Sequence, residues 1–306
     1  MNQEIVTIDL GSNSFRVLKY DCTDHKIISE YNEVVGMADG LIDTGLISSE
    51  ALQRVIEAIS HSIQVINYNP EDAICVTTAA MRKALNNKDV LEYFKQKVGT
   101  TFTIIDGKEE ARLTLLAVKY ALKREKIYSE KFILLDIGGG STEIIINTND
   151  TYESHSFDFG IVTMTQKSLN YDDLHNDLEF RKKEIKIFLD NLDIDLKDYS
   201  FVATAGTPTT IAAIKLGQDF FSYDRNIVNG TIVNLEDISN SLDIFKNSSK
   251  EDITKLVGRG RVEFIEVGIF IYKMIFEVLN KKESIVLDDG LREGVAINYC
   301  QTKFKN

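Results

Sequence analysis

Proline is nearly absent from this 306-residue sequence, with two in all, and no low-complexity tract interrupts it. Nothing in the chain therefore reads as a disordered linker or a proline-rich recognition segment. Cysteine is also scarce. Cys22, Cys75 and Cys300 are scattered, odd in number and form no CxxC, so neither a disulfide framework nor a zinc site is expected. The four histidines, His25, His61, His155 and His175, show no ligand spacing. Cys75 and Arg82 are separated by six residues, one more than a cysteine-phosphatase loop requires, and no GxxxxGK[ST] phosphate loop occurs. Gly258-Arg259-Gly260 lacks the third glycine of a dinucleotide-binding turn.

Long apolar runs are missing too. The longest candidate, Phe264 to Leu279, is broken by Glu266, Lys273 and Glu277 and reads as a mostly buried helix. The N-terminus reads as a strand containing Glu4 and Asp9, not as a basic-then-apolar signal peptide, so a cytoplasmic protein without a membrane partner is expected. Positive charge is in deficit. Lys and Arg number 35 against 47 Asp and Glu, a net charge of −12. That balance excludes a general nucleic-acid or acidic-membrane binder but leaves room for a local basic site.

What the sequence does contain is a duplication. Ile5-Val6-Thr7-Ile8-Asp9-Leu10-Gly11-Ser12-Asn13-Ser14 is echoed by Ile133-Leu134-Leu135-Asp136-Ile137-Gly138-Gly139-Gly140-Ser141-Thr142. Each is an apolar run, an Asp, one apolar residue and a Gly/Ser turn, followed by a second apolar run. The pattern describes a buried strand, a tight turn and a returning strand. One copy alone is an ordinary hairpin. Two copies with the same Asp and Ser placement point to a repeated phosphate-binding loop. Glycine lets backbone N–H groups approach an anion, and Ser and Thr hydroxyls add donors. Asp9 and Asp136, at the strand ends, are placed to hold a metal ion beside that anion.

The length suggests two domains. Residues 4–33 read as three strands and 48–66 as a helix capped by Ser48 or Ser49. Strands follow near 73–77 and 102–105, with helices at 79–85, 89–98 and 108–123. The plan restarts near 131 with strands at 132–136, 143–147 and 152–157, then a helix at 174–192, a strand at 201–204 and a helix from 209. A strand at 285–288 and a helix at 291–299 close the chain. Strand triplets followed by βα alternation, repeated once, predict an α/β chain of two related lobes.

At this point the chain resembles the exopolyphosphatase / guanosine pentaphosphate phosphohydrolase family, within the actin, Hsp70 and sugar-kinase superfamily. The motifs that carry the resemblance are Asp9-Leu-Gly-Ser-Asn-Ser-Phe-Arg16, Thr77-Thr-Ala-Ala-Met-Arg82-Lys-Ala-Leu-Asn86, Gly107-Lys-Glu-Glu110-Ala-Arg112, Asp136-Ile-Gly-Gly-Gly-Ser-Thr-Glu143, Ala205-Gly206-Thr207-Pro-Thr-Thr210 and Asp289-Gly290-Leu-Arg292-Glu293-Gly294. Two departures stand out. Val34-Val35-Gly36 replaces the family's Arg-Leu-Gly, and Asn229-Gly230 replaces its His-Gly.

The resemblance implies two ribonuclease-H-like (actin-like ATPase) lobes, each a mixed β-sheet with flanking helices, and an active site in the interdomain cleft. The lobes are expected at 1–124 plus 291–306 and at 125–290. It implies a Mg2+-dependent phosphohydrolase that removes terminal phosphate from polyphosphate or guanosine pentaphosphate. Glu110 is the implied catalytic residue, positioning and deprotonating water, while Glu109 reads as a surface charge at a helix start. Phosphate contacts fall to Gly11, Ser12, Asn13, Ser14, Arg16, Arg82, Gly138, Gly139, Gly140, Ser141, Thr142, Gly206, Thr207 and Arg261. Asp9, Asp136 and Glu143 are the implied Mg2+ holders. Longer family members carry a further C-terminal region, so distributive action on long polymers is expected of this sequence. A homodimer is compatible with the resemblance. Two other readings remain open: a superfamily kinase using ATP, and a scaffold that binds guanosine tetraphosphate without turnover.

Overall fold

A computed structural model describes residues 3–304. The outermost residues of the expected N-terminal lobe, 1–2 and 305–306, lie outside the described residues. The chain divides into two compact units. One holds the residues through Val118 together with those from Asp289 onward, and the other holds Lys119–Asp288.

The first unit is built on a five-stranded sheet. β1 (Glu4–Leu10), β2 (Ser14–Asp21) and β3 (Lys26–Val34) form an antiparallel meander. β4 (Ile74–Thr77) and β5 (Phe102–Ile104) extend it in parallel from β1, giving the order β3-β2-β1-β4-β5. Parallel neighbours need crossover connections. The helix Ser49–Ile66 makes the first, and Asn87–Val98 contributes to the second. Ser48 starts the former, its hydroxyl accepting from Ala51 N at 3.2 Å. The closing helix Leu291–Lys303 belongs to this unit. Its Leu291 and Val295 pack with Val76, Ile105 and Leu113. Gly294 is bare there for a reason: a Cβ on it would lie 2.0 Å from the Leu113 carbonyl oxygen.

The second unit repeats the plan with one addition. β6 (Lys131–Ile137), β7 (Thr142–Thr148) and β8 (Thr151–Phe157) form the meander, and β9 (Ser200–Thr204) and β11 (Glu283–Val286) extend it in parallel. The added strand, β10 (Thr231–Asn234), pairs antiparallel with β11 at the edge. The order is β10-β11-β9-β6-β7-β8. Four consecutive β6 residues, Phe132 to Leu135, are buried on both faces, as a central strand covered by helices must be. The helix Ile265–Leu279 is the buried helix expected there, packing Ile269, Tyr272, Ile275 and Phe276 into the core. Among the described residues no helix is long and apolar enough to cross a membrane.

One expectation is overturned. Cys22, just past β2, and Cys300, in the closing helix, are joined by a disulfide. Scattered spacing argued against a bridge, but the antiparallel hairpin and the returning helix bring residues 278 apart in sequence to a Cα–Cα distance of 5.3 Å. Among the described residues only Cys75 stays outside a disulfide, buried in β4.

Candidate active site

In each unit, the turn after the first strand is closed by the same bond. Gly11 N donates to Ser14 O at 2.9 Å, and Gly138 N donates to Ser141 O at 3.0 Å. The segment that follows each meander then ties down the turn's carbonyls. In the first unit, Val35 N and Gly36 N donate to Asn13 O, and Ala38 N donates to Ser12 O. In the second, Ile161 N donates to Gly138 O and Val162 N to Gly139 O, from the start of the helix Ile161–Lys167. With those carbonyls taken, among the described residues the N–H groups of Ser12, Asn13 and Gly139 donate to nothing in the chain. Such N–H groups are what an anion binds. Asn13 is 6% exposed, and among the described residues its Oδ1 is buried without a partner.

Gly160 makes the second loop's support feasible. A Cβ there would lie 2.5 Å from the Gly138 carbonyl oxygen. The sequence reading missed it. The available signal was positional, since a glycine follows the third strand in each half: Gly36 after β3 and Gly160 after β8.

The two strand-end aspartates have different cross-strand partners. The register sets Asp9 opposite Arg16 and Asp136 opposite Glu143. Directly opposed side chains on antiparallel strands share a face, and like charges there repel. Asp136 and Glu143 thus form a doubly acidic pair, with Glu143 held by the Ser156 hydroxyl donating to its Oε1 at 2.6 Å. Among the described residues no group of three or more His, Cys, Asp or Glu side chains is gathered for a metal.

Thr142 differs from its sequence assignment. It is fully buried, and its hydroxyl donates to Phe159 O at 2.8 Å, fastening the loop to the segment after β8 instead of facing an anion.

Glu110 sits in the first turn of the helix Gly107–Arg124. Its Oε2 accepts from Arg82 Nη1 at 2.7 Å, and the same Nη1 donates to Ile105 O at 2.9 Å. Both side chains are well buried, 11% exposed for Glu110 and 23% for Arg82. Arg82, assigned to substrate phosphate from the sequence, therefore has this Nη1 committed to a carboxylate of its own unit. Glu109, one residue earlier, is paired bidentately with Arg112 at 2.8 Å on both oxygens. That hydrogen bonding holds its carboxyl below the usual range. Arg112 also donates to Asn298 Oδ1, so Glu109 belongs to a surface tie between two helices.

In the second unit, Ala205 adopts φ 73° and ψ −174°, a region that suits glycine. It opens the ten-residue helix Gly206–Lys215. The Arg261 guanidinium lies over that start, Nη1 being 3.7 Å from where a Gly206 Cβ would stand. Thr207 is 2% exposed and packs against bare Gly268. The structure thus brings Gly206 and Arg261 together.

Cys75 is chemically quiet, because burial pushes its thiol up to about 12.

The chain is similar to known proteins over most of its length. A protein of Fusobacterium nucleatum named bifunctional 3-dehydroquinate synthase/phosphatase is 26% identical over 97% of this chain, which spans 46% of that protein. Exopolyphosphatase 2 of Mycobacterium tuberculosis is 23% identical, covering 96% of this chain and 98% of its own. A guanosine-5'-triphosphate,3'-diphosphate pyrophosphatase of Vibrio atlanticus is 28% identical over 94% of this chain and 58% of its own. The chain thus spans about half the length of two of these relatives. The solved structure of the Aquifex aeolicus Ppx/GppA family member superposes with a TM-score of 0.75 at 28% identity, covering 98% of both chains. The model of the Ppx/GppA phosphatase family matches residues 17–303. With both Gly–Ser loops and the Glu-Glu-Ala-Arg segment built as described, the chain belongs to the Ppx/GppA phosphatase family.

Proposed function

We propose that this chain is a Mg2+-dependent phosphohydrolase that releases terminal phosphate from inorganic polyphosphate or guanosine pentaphosphate. The observation that carries the reading is the buried Glu110 carboxylate, fixed by Arg82 at a helix start. Phosphoanhydride hydrolysis uses a group that orients the attacking water, and a carboxylate can also take its proton. Glu110 takes that part, and Arg82 positions it. The N–H groups of Ser12 and Asn13 in one unit, and of Gly139 in the other, supply anion donors, with Arg16, Gly206 and Arg261 as further phosphate contacts. The names of the Mycobacterium and Vibrio relatives support the two substrate classes.

The donor set fits Mg2+. The ion takes oxygen ligands, commonly one or two carboxylates with phosphate oxygens and water. Asp136 and Glu143 offer such a pair. Asp9 faces Arg16, so its strand pair already contains a cation and its share in metal binding is smaller. When bound, the ion would neutralise charge on the phosphoryl oxygens.

The testing experiment is phosphate release from polyphosphate, guanosine pentaphosphate and ATP in parallel, with and without Mg2+. Release from the first two, lost on chelation, supports the reading. ATP turnover only with an added acceptor would mark a kinase, and tight guanosine tetraphosphate binding without release a sensor. The proposal includes action in the cytoplasm, no nucleic-acid partner and a homodimer compatible with the family. Disulfides persist mainly in oxidising compartments. The redox state of Cys22 and Cys300 in cells therefore tests the cytoplasmic placement.

A further inference from the structure

The second unit displays two adjacent phenylalanines on the turn after the helix Gly206–Lys215. Phe220 is 52% exposed and Phe221 82% exposed, with ring centroids 5.5 Å apart and an interplanar angle of 82°. Isolated surface apolar residues are ordinary, but a contiguous aromatic pair is less so. The turn beneath them is fixed. Asp219 Oδ1 accepts from Phe221 N at 2.9 Å, Ser222 N at 2.8 Å and Ser222 Oγ at 2.8 Å, while Asp219 N donates to Ser222 Oγ at 2.9 Å. Phe220 N is held by Lys255 O at 3.1 Å.

The pair meets the segment that carries Arg261. The Phe220 ring lies on Gly258, where a Cβ would come within 2.7 Å of a ring carbon, and Gly258 has φ +82°. Three residues on, the Arg261 guanidinium lies over Gly206. One short segment, Gly258-Arg259-Gly260-Arg261, therefore joins the aromatic pair to a cation at a helix start. A ligand complementary to both ends carries phosphates at one end and a flat ring at the other. Inorganic polyphosphate has no such ring, whereas a nucleotide does.

We propose that Phe220 and Phe221 form a stacking surface for the base of a nucleoside polyphosphate whose phosphates lie against Gly206 and Arg261. This rests on the phosphate reading of that turn and selects nucleotides among the substrates considered above. Stacking on an aromatic ring is tolerant of base identity, so guanine and adenine are both accepted here.

The chain contains no tryptophan, so Phe221→Trp introduces a single fluorescent reporter. GTP, ATP and inorganic tripolyphosphate are titrated into this full-length variant. The expected result is saturable quenching by both nucleotides, none by tripolyphosphate, and reversal of the nucleotide signal by excess tripolyphosphate. In parallel, Phe221→Ala should raise the KM for a guanosine substrate about 5- to 150-fold while leaving that for tripolyphosphate unchanged. Unchanged emission on addition of nucleotide overturns the proposal, whether or not phosphate is released. So does emission that shifts with protein concentration alone, which marks the pair as a contact between copies. Quenching without phosphate release from any substrate keeps the stacking surface and removes the hydrolase reading instead.

Discussion

Arg82 Nη1 lies 2.7 Å from Glu110 Oε2 and 2.9 Å from the carbonyl oxygen of Ile105. The guanidinium is thereby anchored to the backbone that leads into the helix bearing Glu110, and it fixes the direction of that carboxylate. Replacing Glu110 by Gln keeps the size and removes the base. Turnover should fall about 10²–10⁴-fold with KM little changed. Arg82→Ala leaves the base but frees its orientation, and should lower kcat by about 10²-fold. Glu109→Gln, which breaks only the tie to Arg112, should stay active. Steady-state kinetics on the three variants decide the matter. An active Glu110→Gln would remove the assignment.

Gly160→Ala should loosen the second loop, because the new methyl meets the Gly138 and Gly139 backbone within 2.6 Å. Overpacking of this kind costs about 1–3 kcal/mol. Urea denaturation should show a lower midpoint, and weaker substrate saturation should accompany it. A wild-type midpoint would mean that the close approach relaxes without penalty.

Arg292 is 4% exposed and donates to Glu293 Oε1, Asn32 Oδ1 and Glu30 Oε2 at 2.8, 2.6 and 2.6 Å. It binds the closing helix to β3. Arg292→Ala removes a donor from the buried Glu293 carboxylate and should cost about 3–5 kcal/mol. Arg292→Met, which fills the space, should unfold at a midpoint no lower than the Ala variant. Equal stability of wild type and Arg292→Ala would show that the network contributes nothing net.

Glu109 supplies a pH signature. The hydrogen bonds from Arg112 lower its folded-state value. A depressed carboxyl stabilises the fold above its unfolded value, about 4.3. That contribution fades as pH falls below this value toward the folded one. The stability difference between wild type and Glu109→Gln should therefore be constant from pH 8 to 5 and shrink toward pH 3. It will be small, since both side chains are about two-fifths exposed, 41% for Glu109 and 39% for Arg112. A difference that persists undiminished at pH 3 would locate the stabilisation elsewhere.

The repeated strand–turn–strand units were legible because apolar runs, an Asp and glycines recur at the same spacing, and local periodicity determines those elements. The helices Leu235–Asn247 and Lys250–Val257 and the strand β10 were not read. Their starts were marked only by caps: Asn234 accepts from Glu236 N and Asp237 N, and Ser249 accepts from Asp252 N. In each the acidic residue at the third helical position is Asp, a weaker cue than Glu or Gln. The loop glycines and Glu110 could be named from motif alone. The partner of Glu110, the inward turn of Thr142 and the close approach at Gly160 could not. Each depends on contacts across strands or helices that spacing does not encode. The same holds for Cys22 and Cys300, whose meeting requires the whole second unit to be threaded between them.

That bridge gives the polypeptide an unusual topology. Unit two is inserted between Val118 and Asp289, and the sulfur–sulfur bond connects Cys22 with Cys300 on either side of the insertion. The backbone from Cys22 to Cys300 is thus a closed ring containing all of the second unit. A protease cut anywhere in that ring opens it without releasing a fragment. Nicked protein should run as one covalent species on a denaturing gel until a thiol is added, and then separate into two.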